Sequence, residues 1–263
     1  MKCDDLVFDV GMHRGEDTEH YLRQGFRVVA VEANPALVDA ATQRFATAIA
    51  SGRLTIVGAA VAEEPGTIQL AVFDEHTVWS STDRAFIARN VALGQRYRSV
   101  EVPAVRFVDL LAEHGVPRYL KVDIEGFDML CVRALHEVAE RPDYLSIESA
   151  VTSPRSGVAF EAVFDELAEL WTLGYRAFKF VDQARVATEP GSSGPFGDES
   201  AGRWARIGPT LAQAASLRMQ YEMTGYGTRW GNSRVGRAYS NFRNNVLHRP
   251  LGWYDLHVKL TSA

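Results

Sequence analysis

The stretch Leu6-Val7-Phe8-Asp9-Val10-Gly11-Met12-His13-Arg14-Gly15 joins a short apolar run to a glycine loop. An apolar run that ends at a glycine is typical of a buried strand. Residues 16–23 follow with acids in the first turn, which predicts a helix. Backbone amides at such a helix start can bind a ligand, and glycine lets the chain turn close to it. The loop therefore predicts a nucleoside-type cofactor site, and a turn without a ligand is the alternative.

Outward from this loop, apolar runs alternate with helical patterns. Helices are predicted at 35–50, 127–140 and 160–173, and an antiparallel pair of strands at 67–73 and 100–107. The remaining strands are predicted at 6–10, 27–31, 54–57, 119–123, 144–148, 175–181 and 253–260. Strands that alternate with helices indicate an α/β, Rossmann-like fold: a mostly parallel seven-stranded sheet with helices on both faces.

Residues 183–250 interrupt this pattern before the last strand. Gly, Ser and Pro dominate residues 188–202, and a helix is predicted at 209–223. Residues 203–250 contain eight arginines and one acid. We predict a single domain over residues 1–263 with this segment as a C-terminal basic insertion. The arginines favour a polar or anionic substrate; a solvated loop, or a segment that seals a homo-oligomer, is the alternative.

Composition excludes several classes of protein. The chain has 263 residues, 46% of them hydrophobic, and a net charge of −5, which argues against a generic binder of nucleic acids or membrane surfaces. Two cysteines are too few for a disulfide framework. No apolar run approaches the length of a membrane span, and no apolar leader is evident. We therefore expect no nucleic-acid partner, no membrane span and a cytoplasmic location.

A carboxylate closes the second predicted strand. Glu32 lies 23 residues after Asp9, about the offset at which a carboxylate accepts hydrogen bonds from ribose hydroxyls in nucleotide-binding folds. A dinucleotide fingerprint needs three glycines as G-x-G-x-x-G, whereas Gly11 and Gly15 here are separated by three residues. An aspartate two residues before Gly11 suits the cationic end of S-adenosylmethionine better than a pyrophosphate.

Three ordered motifs extend this argument: Phe8-Asp9-Val10-Gly11-x-x-x-Gly15, Val31-Glu32-Ala33-Asn34-Pro35 and Lys121-Val122-Asp123-Ile124-Glu125-Gly126. Together they resemble the FkbM family of S-adenosylmethionine-dependent methyltransferases, as do Ser80-Ser81, the segment 107–111 and the tail 253–257. The resemblance covers about residues 6–181. It departs from the family at Met12-His13, where the usual residues are Ala-Asn, and the basic insertion lies outside the family's common core.

The resemblance implies a class I methyltransferase fold and S-adenosylmethionine as cofactor. It also implies methyl transfer, usually to a hydroxyl of a sugar, polyketide or other small metabolite. The predicted cofactor-binding residues are Asp9, Gly11, His13, Gly15, Glu32, Asn34, Ala60, Ser81 and Asp123. The predicted catalytic residues are Lys121, Asp123, Glu125 and His257.

Two roles are open for the acidic residues at the strand ends. They act either as acid/base groups or as ligands of one divalent cation, in which case Asp123, Glu125 and Glu148 are the candidates. Lys121 and Asp123 are two residues apart on a strand, so their side chains share a face. His257 follows Asp255 by two residues, and an aspartate in that position can orient a histidine that acts as a general base.

Three other functions remain as alternatives. An NAD-dependent oxidoreductase would share the broad fold, but its glycine fingerprint is absent from the loop. A binding module without catalysis would bind the cofactor and show no turnover. A nucleic-acid methyltransferase is disfavoured by the net acidity and kept open by the local arginines.

Overall fold

The computed structural model describes residues 1–73, 81–82, 84–92, 95–124, 126–152, 161–183, 203–224 and 254–260, without the side chains of residues 84–86, 89 and 220–224. Two compact units divide the chain, Met1–Leu145 and Ser146–Ala263. The prediction of one domain with an insertion stays a prediction.

Seven strands form the main sheet, and the predicted fold class is confirmed. They are β1 (Lys2–Val10), β2 (Arg27–Val31), β3 (Leu54–Val57), β7 (Val116–Val122), β8 (Tyr144–Glu148), β9 (Ala177–Asp182) and β10 (Tyr254–Lys259). Their order is β3-β2-β1-β7-β8-β10-β9. β1 is parallel to both β2 and β7, and β2 is parallel to β3, whereas β9 and β10 are antiparallel.

β1 is the central strand of the first unit. Its last five residues, 6–10, are all buried, as expected for a parallel strand covered on both faces. The strand begins at Lys2 rather than at the predicted residue 6, because Lys2 and Cys3 pair with Val116 and Pro117 of β7. These first residues are held by backbone pairing with a distant segment, so the hydrophobic pattern did not reveal them.

A second, three-stranded sheet in the same unit holds β4 (Ala60–Val61), β6 (Tyr97–Val105) and β5 (Gly66–Phe73), in that order. The predicted antiparallel pair is β5 and β6. The two-residue strand β4 was not predicted, since so short a run has no periodicity. Ala60, Leu70, Val72 and Val102 form the apolar core of this sheet.

The helices of the first unit are α1 (Glu16–Arg23), α2 (Pro35–Arg44), α3 (Ala46–Ala50), α4 (Arg84–Ala92), α5 (Phe107–His114) and α6 (Asp128–Ala134). The helix predicted at 35–50 is divided at Phe45, whose φ of −104° and ψ of 20° leave the helical region. The helix predicted at 127–140 is also shorter, because a 3₁₀ turn at Leu135–Glu137 ends it. α4 was not predicted.

The second unit holds α7 (Glu161–Thr172), β9, α8 (Ile207–Thr224) and β10. α8 confirms the helix predicted at 209–223 inside the basic insertion. The predicted loop at 188–202 lies outside the described residues, as do five of the eight arginines of 203–250. Within the part of the chain that is described, no helix is both long and apolar enough to cross a membrane.

Candidate functional site

The ends of three parallel strands meet at the glycine turn. β1 has β2 on one side and β7 on the other, which makes its carboxyl end a topological switch point, where α/β sheets bind ligands. The Gly11 N–H donates to the Val31 carbonyl at 2.9 Å, and the Asp123 N–H donates to the Val10 carbonyl at 2.8 Å. These bonds fix the turn between the motifs that follow β2 and β7.

Glycine is required at both ends of the turn. Gly11 has a φ of +87°, and a Cβ there would lie 1.9 Å from the carbonyl oxygen of Asp123. Gly15 has a φ of +82°, and a Cβ there would lie 2.6 Å from the Phe45 ring. The first contact is with backbone, which has little freedom to move, so Gly11 allows the close approach of β1 and β7.

His13 is the one non-glycine residue with a positive φ, 52°, among the residues described. Asparagine, the usual family residue here, adopts this conformation more readily than most side chains. The His13 backbone N–H donates to Glu32 Oε2 at 2.9 Å. The pKa of the imidazole is lowered, mainly because the side chain is partly buried. The lowered pKa favours the neutral form of His13 at pH 7. The backbone of His13 thus helps to hold the next carboxylate.

Glu32 is held by two backbone amides. Its Oε1 accepts a hydrogen bond of 2.8 Å from the Asn34 N–H, and its Oε2 accepts the bond from His13. The side chain is 8% exposed, and burial raises its pKa while the amide hydrogen bonds oppose that rise. A carboxylate oxygen accepts more than one hydrogen bond, so both oxygens retain acceptor capacity toward the cleft that Glu32 lines.

Asn34 has a structural role in this arrangement. Its side-chain oxygen accepts a hydrogen bond of 3.1 Å from the Ala36 N–H and caps α2, a common use of asparagine. The residue is buried and is not among those that line the cleft. A cofactor contact of Asn34 stays a prediction.

Lys121 lies among three carboxylates. Its Nζ is 3.1 Å from Asp17 Oδ2, 3.6 Å from Asp123 Oδ2 and 3.7 Å from Asp9 Oδ1. Asp9 is fully buried and accepts a hydrogen bond of 2.6 Å from Thr18 Oγ1. Its other oxygen, Oδ1, has no hydrogen-bond partner among the described residues. Because burial outweighs the attraction of Lys121, the pKa of Asp9 is raised to about 6.

The raised pKa of Asp9 predicts a stability that falls with increasing pH. The folded protein holds this proton more tightly than the unfolded chain, whose carboxyl has a pKa of 3.8. The stabilising contribution is therefore present below about pH 4 and is lost as the pH rises through 6. We expect Asp9→Asn, which does not titrate, to gain about 1 to 2 kcal/mol over the wild type between pH 5 and pH 8.

Urea unfolding at both pH values measures this difference. Asp39→Asn changes an exposed carboxylate on α2 and serves as the control, which should follow the wild type. A constant offset between Asp9→Asn and the wild type across this range would contradict the assigned titration.

A cleft of about 250 Å³ opens at the glycine turn. One part of its lining is charged or polar: Glu16, Asp17, Glu32, Lys121, Asp123 and His13. Another part is apolar: Val31, Ala33, Ala59, Ala60, Val61, Leu70, Ile124 and Phe127. Ser81, whose backbone pairs with Ala71 of β5, also contributes to the lining. The three-stranded sheet thus supplies Ala60 and Leu70 to the cleft.

Not all predicted site residues are among those that line this cleft. Glu125 lies outside the described residues. The cleft-lining residues all fall between Gly11 and Phe127, so Glu148 and His257 are not among them. His257 is buried on β10 opposite Lys179, and Asp255 accepts a hydrogen bond from Gln183. The catalytic role of His257 stays a prediction.

One residue that lines the cleft, Asp17, escaped the sequence analysis. Asp17 belongs to the acidic first turn of α1, which alone indicated only a helix start. Asp128 is buried and accepts a hydrogen bond of 2.8 Å from the Ile124 N–H, so it holds the turn after β7.

The described residues contain no cluster of three or more His, Cys, Asp or Glu side chains suited to a metal ion. Of the three conditional metal ligands, Asp123 and Glu148 are described and Glu125 is not.

The sheet order and the cleft at the switch point define a Rossmann-like protein of the class I methyltransferase fold. The protein-family model described as the methyltransferase FkbM domain matches residues 9–177 of this chain. The chain therefore belongs to the FkbM methyltransferase family, as the motifs at the three strand ends predicted.

The solved structures that match this chain are distant in sequence, and their TM-scores are below 0.5. The [4+2]-cyclase SpnF has a TM-score of 0.42 and 11% identity, over 100% of this chain and 78% of that chain. Phosphoethanolamine N-methyltransferase 2 of Haemonchus contortus, in complex with S-adenosyl-L-methionine, has a TM-score of 0.36 and 10% identity over 100% of this chain. The chain spans 50% of the length of that second protein. No curated protein matches the sequence.

Proposed function

We propose that this protein transfers a methyl group from S-adenosylmethionine to a hydroxyl oxygen of a small molecule or glycan in the cytoplasm. The observation that carries the proposal is the convergence of Glu32, Lys121 and Asp123 on one cleft beside the glycine turn. Family membership supplies the reaction class, and the chemistry of the cleft supplies the candidate roles.

The residues of the cleft fit an adenosyl group with a cationic tail. The amide-held carboxylate of Glu32 suits a pair of ribose hydroxyls, and the apolar wall that includes Ala60, Leu70 and Phe127 suits a purine. Asp9 has a buried oxygen without a hydrogen-bond partner among the described residues, next to the turn. A buried acceptor of this kind favours a nearby positive charge or donor.

When bound, S-adenosylmethionine supplies an electrophilic methyl group on a sulfonium centre. The protein must hold the acceptor oxygen in line and remove its proton. We assign removal of this proton to Asp123, because its side chain lines the cleft and is 48% exposed. Lys121 holds Asp123 through an ion pair of 3.6 Å. Lys121 is thus a positioning residue for the base, and Glu125 remains a candidate for the same task.

The chemical class of the methyl acceptor is inferred from exposed arginine side chains. Arg203 and Arg206 are exposed at the start of the arginine-rich stretch 203–250, and arginine binds carboxylates and phosphates through paired hydrogen bonds. We therefore propose an anionic acceptor, such as a phosphorylated or carboxylated sugar.

Calorimetry followed by turnover tests this function. We expect the pure protein to bind S-adenosylmethionine and S-adenosylhomocysteine, and to transfer a tritiated methyl group to a member of a panel of sugars, sugar phosphates and uronic acids. Asp123→Asn should lower kcat about 100-fold or more, since removing a general base typically costs that much, with the affinity for S-adenosylhomocysteine nearly unchanged.

Three outcomes would contradict parts of the proposal. If the protein bound NAD and did not bind S-adenosylmethionine, S-adenosylmethionine would be excluded as the cofactor. Cofactor binding without transfer to any panel member would favour a binding module. Full turnover by Asp123→Asn would exclude Asp123 as the base, and Glu125→Gln is the matched second variant.

A further inference from the structure

The charged residues that line the cleft do not balance. Among the lining residues that the structure describes, the carboxylates of Glu16, Asp17, Glu32 and Asp123 outnumber the ammonium of Lys121. Lys121 is shared among Asp9, Asp17 and Asp123 and lies nearest to Asp17. One positive charge near three negative ones leaves a surplus of negative charge at this end of the cleft.

Two observations indicate that this excess of negative charge has a role in ligand binding. Asp9 is 0% exposed, and its Oδ1 faces Lys121 without a hydrogen bond from any described residue. A buried polar oxygen without a hydrogen bond is costly to the fold and calls for a functional explanation. Asp17 is 47% exposed at the cleft and contacts Lys121, so its carboxylate adds to the field that a bound ligand experiences.

We propose that Asp17 is a specificity-determining residue that, together with Asp9 and Asp123, favours a ligand with an additional positive charge. The inference rests on the proposed function, because it applies to the two states of the methyl donor. S-adenosylmethionine carries a sulfonium charge that S-adenosylhomocysteine lacks, while their amino, carboxyl and adenosine groups are the same. The cleft therefore favours the methyl donor over its demethylated product and limits inhibition by that product.

Two variants that change the charge of the cleft in opposite directions test this inference. The preference for the donor is measured as the dissociation constant of S-adenosylhomocysteine divided by that of S-adenosylmethionine. Asp17→Asn removes a negative charge next to Lys121 and should lower this ratio about threefold. Lys121→Met removes the positive charge and should raise the same ratio about threefold. These sizes follow from partly exposed pairs, whose interactions are weakened by solvent.

Glu19→Gln is the matched control. Glu19 lies on the same helix as Asp17, is about as exposed, and pairs with Arg44 and Arg23 instead of lining the cleft. Its substitution should leave the ratio unchanged. The difference between wild type and Asp17→Asn should also shrink in high salt, because salt screens exposed charges.

Isothermal titration calorimetry of both ligands, without an acceptor, measures the ratio at pH 7.5. Opposite shifts in Asp17→Asn and Lys121→Met support the inference, since a general loss of structure does not change the ratio in opposite directions. Equal ratios in the wild type and Asp17→Asn would overturn it. Failure of the wild type to bind either ligand would instead overturn the proposed function.

Discussion

Replacing Gly11 by alanine is expected to abolish cofactor binding and to lower the free energy of unfolding by about 2 to 5 kcal/mol. The added Cβ would lie 1.9 Å from the Asp123 carbonyl oxygen, so β1 and β7 must separate at the switch point. The φ of +87° adds a backbone cost of about 1 to 2 kcal/mol for any residue with a Cβ. Steric overpacking adds about 1 to 3 kcal/mol more.

Gly25→Ala is the matched control for this variant. Gly25 has a φ of +95°, close to that of Gly11, but a Cβ there would meet no atom within 4 Å. Its substitution should cost only the backbone strain, about 1 to 2 kcal/mol. Urea unfolding and calorimetry with S-adenosylhomocysteine measure both variants. Equal destabilisation of the two would show that the close approach of β1 and β7 has no energetic weight.

Replacing Glu32 by alanine is expected to weaken binding of S-adenosylhomocysteine about 100-fold or more. Two hydrogen bonds from ligand hydroxyls to a carboxylate are each worth about 1.5 to 3 kcal/mol. The variant also leaves the N–H groups of His13 and Asn34 without the acceptor that they have in the wild type. Loss of this acceptor should lower the free energy of unfolding by about 2 to 4 kcal/mol.

Comparison with Glu64→Ala isolates this effect. Glu64 is an exposed carboxylate between β4 and β5 and does not line the cleft, so both affinity and stability should stay near the wild-type values. Calorimetry and urea unfolding give the two quantities separately. Tight binding by Glu32→Ala would exclude Glu32 from the cofactor site, whatever its effect on stability.

The main elements could be predicted because their causes are local. The buried run 6–10 and the glycine after it specify a strand and a turn through hydrophobic pattern and backbone freedom alone. α8 was predicted from helical pattern inside an otherwise irregular segment and was found within two residues of the predicted limits. The family resemblance at the three strand ends was confirmed by the match over residues 9–177.

Other features depend on distant partners and could not be predicted in this way. Lys2 and Cys3 extend β1 only because β7 pairs with them. Phe45 interrupts a helical pattern at the position where its ring lies next to Gly15. α4 and β4 are short or weakly patterned, so no local signal distinguished them from loops.

The sequence by itself determined the strand-end motifs, their order and the family. Only the tertiary structure decided which side chains the motifs bring together: Asp17 beside Lys121, His13 and Asn34 around Glu32, and Gly11 against Asp123. The reason is physical. Hydrophobic periodicity and backbone preference act along the chain, whereas the charge of a cleft depends on distances between residues from different elements.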